Sequence, residues 1–329
     1  MTNRNETFLV TGAAGCIGAW AIRLLLDQGV SVVASDLSED LQRLRLISLG
    51  KKDDELDFVP LDVTNTVEVA RIIAERAVTH VVHLAGLQMP FCAANPPLGA
   101  AVNVVGVVNV FEGIRHSGRR VGLSYASSAA VFGGSSAFSS GVVGDASPLS
   151  PDSFYGVYKV ANEGTARVYS MSHGIGSVGL RPFIIYGPGR DQGMTSDPTK
   201  AILAAVRGET FEIKFGGNML LTYAPDCADS FIRAARSAAG SGDAICLNVP
   251  GRRVGVAELV GIIEELIPDS SGKITWKTLP ISAPALLADS ALSAVIGEVA
   301  NRPLREGVAE TVEIFRGALG LGLLSSSEP

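Results

Sequence analysis

In the first half of the chain, short apolar runs alternate with longer stretches whose apolar residues recur every three or four positions. The short runs are rich in β-branched residues, as strands are, whereas the longer stretches have helical periodicity. The predicted strands are TFLV, VSVVAS, LDFVPL, HVVHLA and RVGLSYAS, and the predicted helices cover residues 16–29, 37–49, 67–77 and 100–118. Strands that alternate with helices of this length predict a parallel sheet covered by helices on both faces.

The second half of the chain follows this rhythm less regularly. A helix is predicted from Ser153, a strand over residues 177–183 and an edge strand over residues 244–250, whereas residues 186–218 are rich in glycine, proline and polar residues. Three helical patterns with little strand signal fill the last third. The predicted fold is α/β, a doubly wound parallel sheet (Rossmann-like) with a smaller, mainly helical C-terminal substrate lobe. The predicted domains are residues 1–183 with 225–250, and residues 184–224 with 251–329.

The composition is that of a globular protein with no general attraction to polyanions. Of the 329 residues, 47% are hydrophobic and 18% are charged, and the formal net charge is −6. This charge argues against nucleic acid and anionic membranes as partners. The longest uncharged run, residues 121–144, contains many serines and glycines and is better explained as a strand and a loop than as a membrane span. With no export signal in the first residues, we expect a cytoplasmic protein.

The cysteines do not form a metal-binding pattern. The chain has four, widely spaced, with no CxxC pair and no accompanying histidine cluster. We therefore expect free thiols in a reducing compartment and no metal site. The four are Cys16, Cys92, Cys227 and Cys246.

A glycine-rich turn follows the first predicted strand. Residues 11–18 read TGAAGCIG, and Gly12, Gly15 and Gly18 suit a tight turn, close approach of the backbone to a pyrophosphate, and close packing of helix on strand. Asp36 ends the second strand, where a carboxylate accepts hydrogen bonds from an adenosine ribose and repels a 2′-phosphate, which favours NAD over NADP. The glycines alone could form a simple turn. Asp36 could also cap a helix, and Asp62 could border an adenine ring or be a cap.

Two residues of SFYGVYK, at 153–159, share one face of the predicted helix. Tyr155 and Lys159 are four positions apart and therefore adjacent, whereas Tyr158 points about 100° away. A phenol needs a pKa decrease of about 3 units, or roughly 4 kcal/mol, to act as a base at neutral pH. A nearby ammonium and an oxidised nicotinamide would supply it. By itself, a pair with this spacing more often belongs to a solvated helix face.

Two serines follow the fifth predicted strand. Ser127 and Ser128 lie at the carboxyl edge of the sheet, where open α/β folds bind their ligands. A serine hydroxyl there could hold a substrate oxygen and orient it towards Tyr155. Serines are common at strand ends, so their position gains meaning only together with the glycine turn and the Tyr155/Lys159 pair.

These motifs together resemble the extended short-chain dehydrogenase/reductase family, which includes NAD-dependent sugar epimerases and dehydratases. The similarity extends to HLAG at residues 83–86, Asn103, RPFIIYGPGR at residues 181–190, and LREGVAETVEIF near the end. The resemblance implies that Ser128, Tyr155 and Lys159 are catalytic. It implies cofactor binding by Gly12, Gly15, Cys16, Ile17, Gly18, Asp36, Leu37, Asp62, Val63, Leu84, Ala85, Gly86, Asn103, Tyr155, Lys159 and Pro182, and substrate binding by Ser127, Ser128, Tyr155, Tyr186, Arg190 and Thr195. It also implies a homodimer formed through the helices that begin near Ala100 and Ser153.

Two departures from the family pattern narrow the expected activity. Dehydratases carry an Asp-Glu pair after this serine, but the chain has Ala129 and Ala130. Relatives that act on nucleotide sugars have an arginine where this chain has Met219, although Arg190 or Arg252 could compensate. The short polar groups of residues 191–202 suit a compact polyhydroxylated substrate, or simply cap the next helix.

The sequence therefore predicts an NAD-dependent oxidoreductase that acts on a secondary alcohol or ketone of a small sugar, sugar acid or lactone. An epimerase that keeps its NAD uses the same residues and is the alternative. A dinucleotide-sensing protein without catalysis is a third hypothesis, which the complete set of catalytic residues disfavours.

Overall fold

The computed structural model describes residues 6–51, 56–134, 142–280, 286–287 and 290–324. Its largest sheet contains seven strands in the order β11-β7-β5-β4-β1-β2-β3, and every neighbouring pair is parallel. The strands of this sheet are β1 (Thr7–Thr11), β2 (Ser31–Asp36), β3 (Asp57–Pro60), β4 (His80–His83), β5 (Gly122–Ala126), β7 (Ser177–Arg181) and β11 (Ala244–Asn248). The prediction of a doubly wound parallel sheet is confirmed.

The strand order reverses between β1 and β4, and such a switch point is where folds of this kind bind their ligands. Thr11, the last residue of β1, pairs with Ser35 on one side and with His83 on the other. The carboxyl ends of β1, β2 and β4 therefore lie side by side. The segments that follow these strands are the glycine turn, Asp36 and HLAG, so the register brings the predicted cofactor residues to one edge of the sheet.

Helices cover both faces of this sheet, and apolar side chains from sheet and helices form a core on each face. The helix that precedes β7 begins at Ser153, whose hydroxyl accepts a hydrogen bond from Gly156 N, and ends at Gly174 in the left-handed conformation. The helices up to β11 are α1 (Cys16–Asp27), α2 (Gln42–Ile47), α3 (Thr66–Glu75), α4 (Met89–Ala94), α5 (Pro96–Ala100), α6 (Gly106–Ser117), α7 (Phe154–His173), α8 (Asp197–Arg207) and α9 (Ala224–Ala238).

A second core lies in the C-terminal lobe, between α8, two later helices and a three-stranded sheet of order β12-β10-β8. The lobe is mainly helical, as predicted, but it also contains short strands that the sequence did not indicate. Its remaining elements are β8 (Ile184–Tyr186), β9 (Phe211–Ile213), β10 (Asn218–Tyr223), β12 (Arg252–Gly255), α10 (Val256–Leu266), β13 (Ile274–Trp276), α11 (Ser290–Ile296) and α12 (Leu304–Gly320). Two further short strands, β6 (Val142–Val143) and β14 (Leu286–Leu287), pair with each other.

One predicted boundary was wrong. The helix predicted over residues 37–49 covers only Gln42–Ile47, because the Asp40 carboxylate accepts a hydrogen bond from Gln42 N and holds the preceding residues in a turn. In the less regular stretch of residues 186–218, the helix expected near residues 191–202 is present as α8, and β9 was not predicted. There the Asp197 carboxylate accepts a hydrogen bond from Lys214 N and fixes the start of α8 to the segment after β9.

One described helical stretch, Pro96–Ser117, is long and apolar enough to cross a membrane, and half of its most apolar window is buried in the fold. The core helix of a globular protein has the same properties, so this stretch is weak evidence for a membrane span.

Candidate active site

The glycine turn is shaped by close contacts that only glycine permits. Gly12 has φ of +72°, and a Cβ there would lie 2.7 Å from Ala85 N in the segment after β4. A Cβ on Gly18 would lie 2.1 Å from the carbonyl oxygen of Gly12, so this glycine lets α1 pack directly on the turn. The roles predicted for both glycines follow from this geometry.

The start of α1 presents free backbone N–H groups. Gly15 caps the helix in an extended conformation without a side-chain hydrogen bond, so the dipole end of α1 is available to an anion. The Asp36 carboxylate accepts hydrogen bonds from Ala14 N at 3.0 Å and Leu37 N at 2.8 Å, which fixes it beside the turn. An anion-binding helix start beside a fixed carboxylate fits the pyrophosphate and adenosine ribose of NAD.

The segment after β4 forms the next wall of the cofactor site. Asn103 lies in a π-helical turn at residues 101–105, and its Oδ1 is buried with no hydrogen-bond partner among the described residues. A Cβ on Gly86 would lie 2.8 Å from that oxygen and 3.7 Å from Lys159 Nζ. The amide oxygen and the ammonium therefore meet at a place where the main chain carries no side chain, which leaves room for a ribose of the cofactor.

His83 lies below this wall and has a structural role. Its Nδ1 is 2.7 Å from Thr11 Oγ1, which connects the ends of β4 and β1. Burial, with a smaller effect of the Lys159 charge, lowers the pKa of His83 to about 3. The imidazole ring is therefore neutral at physiological pH, and the positive charge beside Gly86 is that of Lys159.

Tyr155 and Lys159 lie on one face of α7, as the spacing predicted, and Ser128 lies opposite them at the end of β5. Ser128 lies close enough to the Tyr155 hydroxyl to lower its pKa as a hydrogen-bond partner, and Lys159 Nζ lies 5.4 Å from the centroid of the tyrosine ring. The ammonium also donates to Ala126 O at 2.7 Å. Tyr158 faces elsewhere, and its hydroxyl donates to Pro96 O at 2.9 Å. The structure thus brings the three predicted catalytic residues together and gives Tyr158 a packing role.

The electrostatics show why the protein alone does not activate this tyrosine. Burial raises the pKa of Tyr155 above 10.0, and the hydrogen bond from Ser128 offsets part of the increase. Burial also lowers the pKa of Lys159 to about 8, so its ammonium is protonated at neutral pH. A competent phenolate therefore needs the lysine charge together with a further positive charge close to the ring, which an oxidised nicotinamide carries.

The Ser127 hydroxyl is directed into the protein. It donates to Glu163 Oε1 at 2.6 Å, and Ser127 is only 1% exposed. Glu163 also forms a bidentate ion pair with Arg181, the last residue of β7, with both hydrogen bonds at 2.7 Å. Sequence reasoning missed Glu163, although its position four residues after Lys159 places it on the same helix face.

The remaining predicted cofactor residues have mixed surroundings. The Asp62 carboxylate accepts hydrogen bonds from Thr64 N and Oγ1 in the turn before α3, whereas Asn65 caps that helix, so the alternative of Asp62 as a helix cap is wrong. Val63 is buried, and its carbonyl oxygen accepts a hydrogen bond from Asn109. Pro182 O accepts a hydrogen bond from Ala129 N, the residue after Ser128. Ile17 packs on the core under α1, Leu37 is exposed, and Leu84 N donates to Thr11 O.

The segment after β8, residues 187–191, lies against the glycine turn. Pro188 O accepts a hydrogen bond from Trp20 Nε1 of α1 at 3.0 Å. Arg43 forms a bidentate ion pair with Asp191 and also donates to Ala14 O at 2.6 Å. Cys16, next to this segment, is a neutral thiol because burial raises its pKa to about 12. Trp20 of α1 and Arg43 of α2 therefore hold the segment, and Arg43 also ties it to the glycine turn.

Arg190 of this segment has unused hydrogen-bonding capacity. Its Nε is buried without a partner among the described residues, and its Nη2 donates to Thr195 Oγ1 at 3.3 Å. The Arg190 charge lowers the pKa of both Tyr155 and Cys16, although burial outweighs it in each case. Tyr186, predicted to contact substrate, is 2% exposed and packs in the second core against Tyr223. This placement gives Tyr186 a packing role.

Comparison with known proteins identifies the family. The sequence profile of the NAD dependent epimerase/dehydratase family matches residues 8–248. The chain belongs to this family. It is similar to UDP-glucose 4-epimerase of Mycolicibacterium smegmatis, with 30% identity over 94% of this chain and 98% of that protein. It is also similar to protein CapI of Staphylococcus aureus, with 31% identity over 70% of each chain. The predicted resemblance to the extended short-chain dehydrogenase/reductases is confirmed.

Solved structures agree with this assignment. MoeE5, solved in complex with UDP-glucose and NAD, has a TM-score of 0.76 and 26% identity, over 95% of this chain and all of that chain. The UDP-glucose 4-epimerase of Thermotoga maritima has the same fold, with a TM-score of 0.79 at 23% identity over 95% of this chain. The predicted cofactor, NAD, is thus supported by a relative that binds it as well as by the fit of the residues described above.

The described residues also bear on the two departures from the family pattern. Ala129 and Ala130 form a short 3-10 turn after Ser128 and carry no carboxylate. Met219 is buried in the second core, and Arg252 donates to the carbonyl oxygens of residues 301 and 302. Of the two arginines that could compensate, Arg252 is thus bound to main-chain carbonyl oxygens, whereas Arg190 has a buried Nε without a partner among the described residues. No group of residues that could hold a metal occurs among the described positions.

Proposed function

We propose that this protein is an NAD-dependent sugar epimerase that inverts a carbinol carbon and keeps its cofactor bound. The observation that carries the choice over net oxidation is the segment of residues 187–191, which Trp20 of α1 and Arg43 hold beside the glycine turn, where Arg43 also donates to Ala14 O. A dinucleotide at the turn would have to pass this segment to leave. Retention suits a reaction in which the cofactor is regenerated in each turnover, and the similarity to a UDP-glucose 4-epimerase supports the same choice.

In this mechanism Tyr155 takes the proton of the substrate hydroxyl and later returns it. Ser128, hydrogen-bonded to Tyr155, holds the substrate oxygen and keeps it in line with the phenol. Lys159 stabilises the phenolate through its charge. Bound NAD would accept the hydride from the carbinol carbon and return it to the opposite face. Ala129 and Ala130 offer no acid or base to a neighbouring carbon, so elimination of water is not expected.

The proposed substrate is a sugar with an oxygen-rich, preferably anionic group that Arg190 binds. Arg190 Nε has no partner within the described part of the chain, and Arg190 Nη2 donates to the Thr195 hydroxyl. A buried guanidinium gains most from a carboxylate or phosphate oxygen. Because Met219 replaces the arginine expected for a diphosphate, a free sugar acid fits this site better than a nucleotide sugar.

A net dehydrogenase acting on a free sugar or sugar acid is the second candidate. The buried Met219 favours it, because the loss of a nucleotide clamp points away from the substrates named for the epimerase relatives. The two functions differ in stoichiometry. A dehydrogenase consumes added NAD and accumulates NADH, whereas the epimerase turns over without added NAD.

The test begins with the NAD content of the purified protein, followed by turnover of sugars, sugar acids and UDP-sugars with and without added NAD. We expect bound NAD and inversion without added cofactor. Turnover that requires added NAD, with NADH rising in proportion to product, would establish the dehydrogenase instead. Tyr155→Phe should abolish turnover while retaining NAD, and Tyr158→Phe, which removes a hydroxyl that donates to Pro96 O, is the matched control. Full activity of Tyr155→Phe would overturn both functions.

We also propose a homodimer formed through one face of α5–α7. This face exposes large apolar side chains on neighbouring helices, which is unusual for a monomer surface. The exposed residues are Leu98, Val105, Phe154, Val157 and Val168. A second copy of the chain would cover them.

A further inference from the structure

Three consecutive residues at the end of β5 each contact one of three residues on a single face of α7. Ser128 is hydrogen-bonded to Tyr155, Ala126 O accepts a hydrogen bond from Lys159 Nζ, and Ser127 donates to Glu163. The three helix residues are spaced by four, so they lie in a row along the helix. Two of these contacts involve catalytic side chains. The third contact, between Ser127 and Glu163, involves no residue that takes part in the proposed reaction, although Glu163 lies in the same row on α7.

Glu163, the helix residue of the third contact, also forms a buried bidentate ion pair with Arg181. Glu163 is 9% exposed and Arg181 4% exposed, and the guanidinium binds both carboxylate oxygens as a fork. Arg181 also donates to Asp145 O at 2.8 Å, and its guanidinium lies 4.9 Å from the Phe132 ring centroid. Arg181 therefore contacts the helix that carries Tyr155 and the turn that follows Ser128.

A buried ion pair of this kind contributes little net stability, because desolvation of the two charges offsets their attraction. Its geometry is nevertheless strongly fixed, since a bidentate fork tolerates little rotation or sliding. Glu163 uses the same oxygen, Oε1, to bind Arg181 Nε and Ser127 Oγ. Any shift of α7 along the strand end would break this three-residue junction.

We propose that Glu163 is a positioning residue that, through Ser127, fixes the register of α7 against β5 and so sets the geometry between Ser128 and Tyr155. This inference rests on the proposed function only for the reaction that is assayed, because an epimerase and a dehydrogenase both need the same Ser128–Tyr155 geometry. Loss of the junction would loosen the catalytic hydrogen bond and raise the pKa of Tyr155, since that hydrogen bond lowers it.

Ser127→Ala is the main test, because it removes one hydroxyl and leaves the ion pair intact. Ser124→Ala is the matched control. Ser124 is a buried serine of the same strand whose hydroxyl donates to Phe231 O at 2.8 Å, on the side of α9. We expect Ser127→Ala to lower kcat about tenfold with KM and NAD content nearly unchanged. The acid limb of its pH–rate profile should move to higher pH. Ser124→Ala should change neither property, and Ser127→Thr should restore much of the loss because it keeps a hydroxyl.

Equal kcat and equal pH profiles for Ser127→Ala and Ser124→Ala would overturn the positioning role. Glu163→Gln is a second variant to measure where it folds, and the acid limb of its pH–rate profile should also move to higher pH. If no substrate is found, the ultraviolet absorbance of the phenolate, titrated in the NAD-bound protein and corrected with Tyr155→Phe, reports the same pKa. A pKa of Tyr155 that is unchanged by Ser127→Ala in this titration would also overturn the proposal, whether or not the proposed function holds.

Discussion

Replacement of Lys159 by methionine would remove the ammonium while keeping a long side chain. The ammonium lies 5.4 Å from the centroid of the Tyr155 ring. We take this distance as the separation between the ammonium and the charge of the phenolate. At an effective dielectric constant of about 20, the ammonium then stabilises the phenolate by about 3 kcal/mol, which corresponds to about 2 pKa units. If the phenolate is the reacting base, kcat at neutral pH should fall about a hundredfold, and the acid limb of the pH–rate profile should move up by about 2 units.

The assay is kcat measured across pH, with bound NAD quantified in each preparation because Lys159 also borders the proposed ribose position. Lys159→Arg is the control, since it keeps a permanent positive charge and should leave the acid limb near its original pH. At high pH, where the phenol of the methionine variant ionises unaided, its rate should approach that of the original protein.

A methionine variant that loses the same factor of activity at every pH, with no movement of the acid limb, would refute this reasoning. That result would mean that Lys159 acts by holding the cofactor and contributes nothing to the pKa of Tyr155. Equal loss in Lys159→Arg would point to the same conclusion, because charge alone would then be insufficient.

Three further predictions follow from the contacts of the site and of the exposed helix face. Gly12→Ala should prevent NAD retention and lower the melting temperature, because φ of +72° and the 2.7 Å approach to Ala85 N leave no room for a Cβ; unchanged NAD content would contradict this. Ser128→Ala should lower kcat by about two orders of magnitude with little change in NAD content, as expected for loss of one group that holds the reacting oxygen, and kinetics with near-normal kcat would exclude that role. Val157→Asp should convert the proposed dimer to a monomer in light-scattering measurements, because it places a charge within the exposed apolar face; a variant that remains dimeric would locate the interface elsewhere.

Much of the fold could be predicted because local signals and the fold agree. The β-branched runs became the strands of the parallel sheet, and the glycine turn lies at the end of β1 with Asp36 beside it. Helical spacing also predicted correctly that Tyr155 and Lys159 share a face while Tyr158 turns away. These features depend on periodicity of 3.6 or 2 residues, which a sequence displays directly.

Features that depend on side chains from distant segments could not be derived in this way. The Ser127 hydroxyl looked available to substrate until the fold placed Glu163 within 2.6 Å of it. Tyr186 follows the same pattern, since a strand-end tyrosine beside a loop became part of the second core. The ion pair between Arg43 and Asp191 joins residues 148 positions apart, and no local periodicity reports such a contact.

In the proposed epimerase, hydride leaves the substrate and returns to it within one retained cofactor, and the fate of a deuterium label reveals whether it does. A sugar substrate that the protein turns over would be labelled with deuterium on its carbinol carbon and incubated without added NAD, and the product would be examined by mass spectrometry and NMR. We predict inverted product that keeps the deuterium on that carbon, with no accumulation of NADH beyond the amount of enzyme. Ketone product without deuterium, formed only with added NAD and matched by labelled NADH, would contradict the epimerase and establish a dehydrogenase.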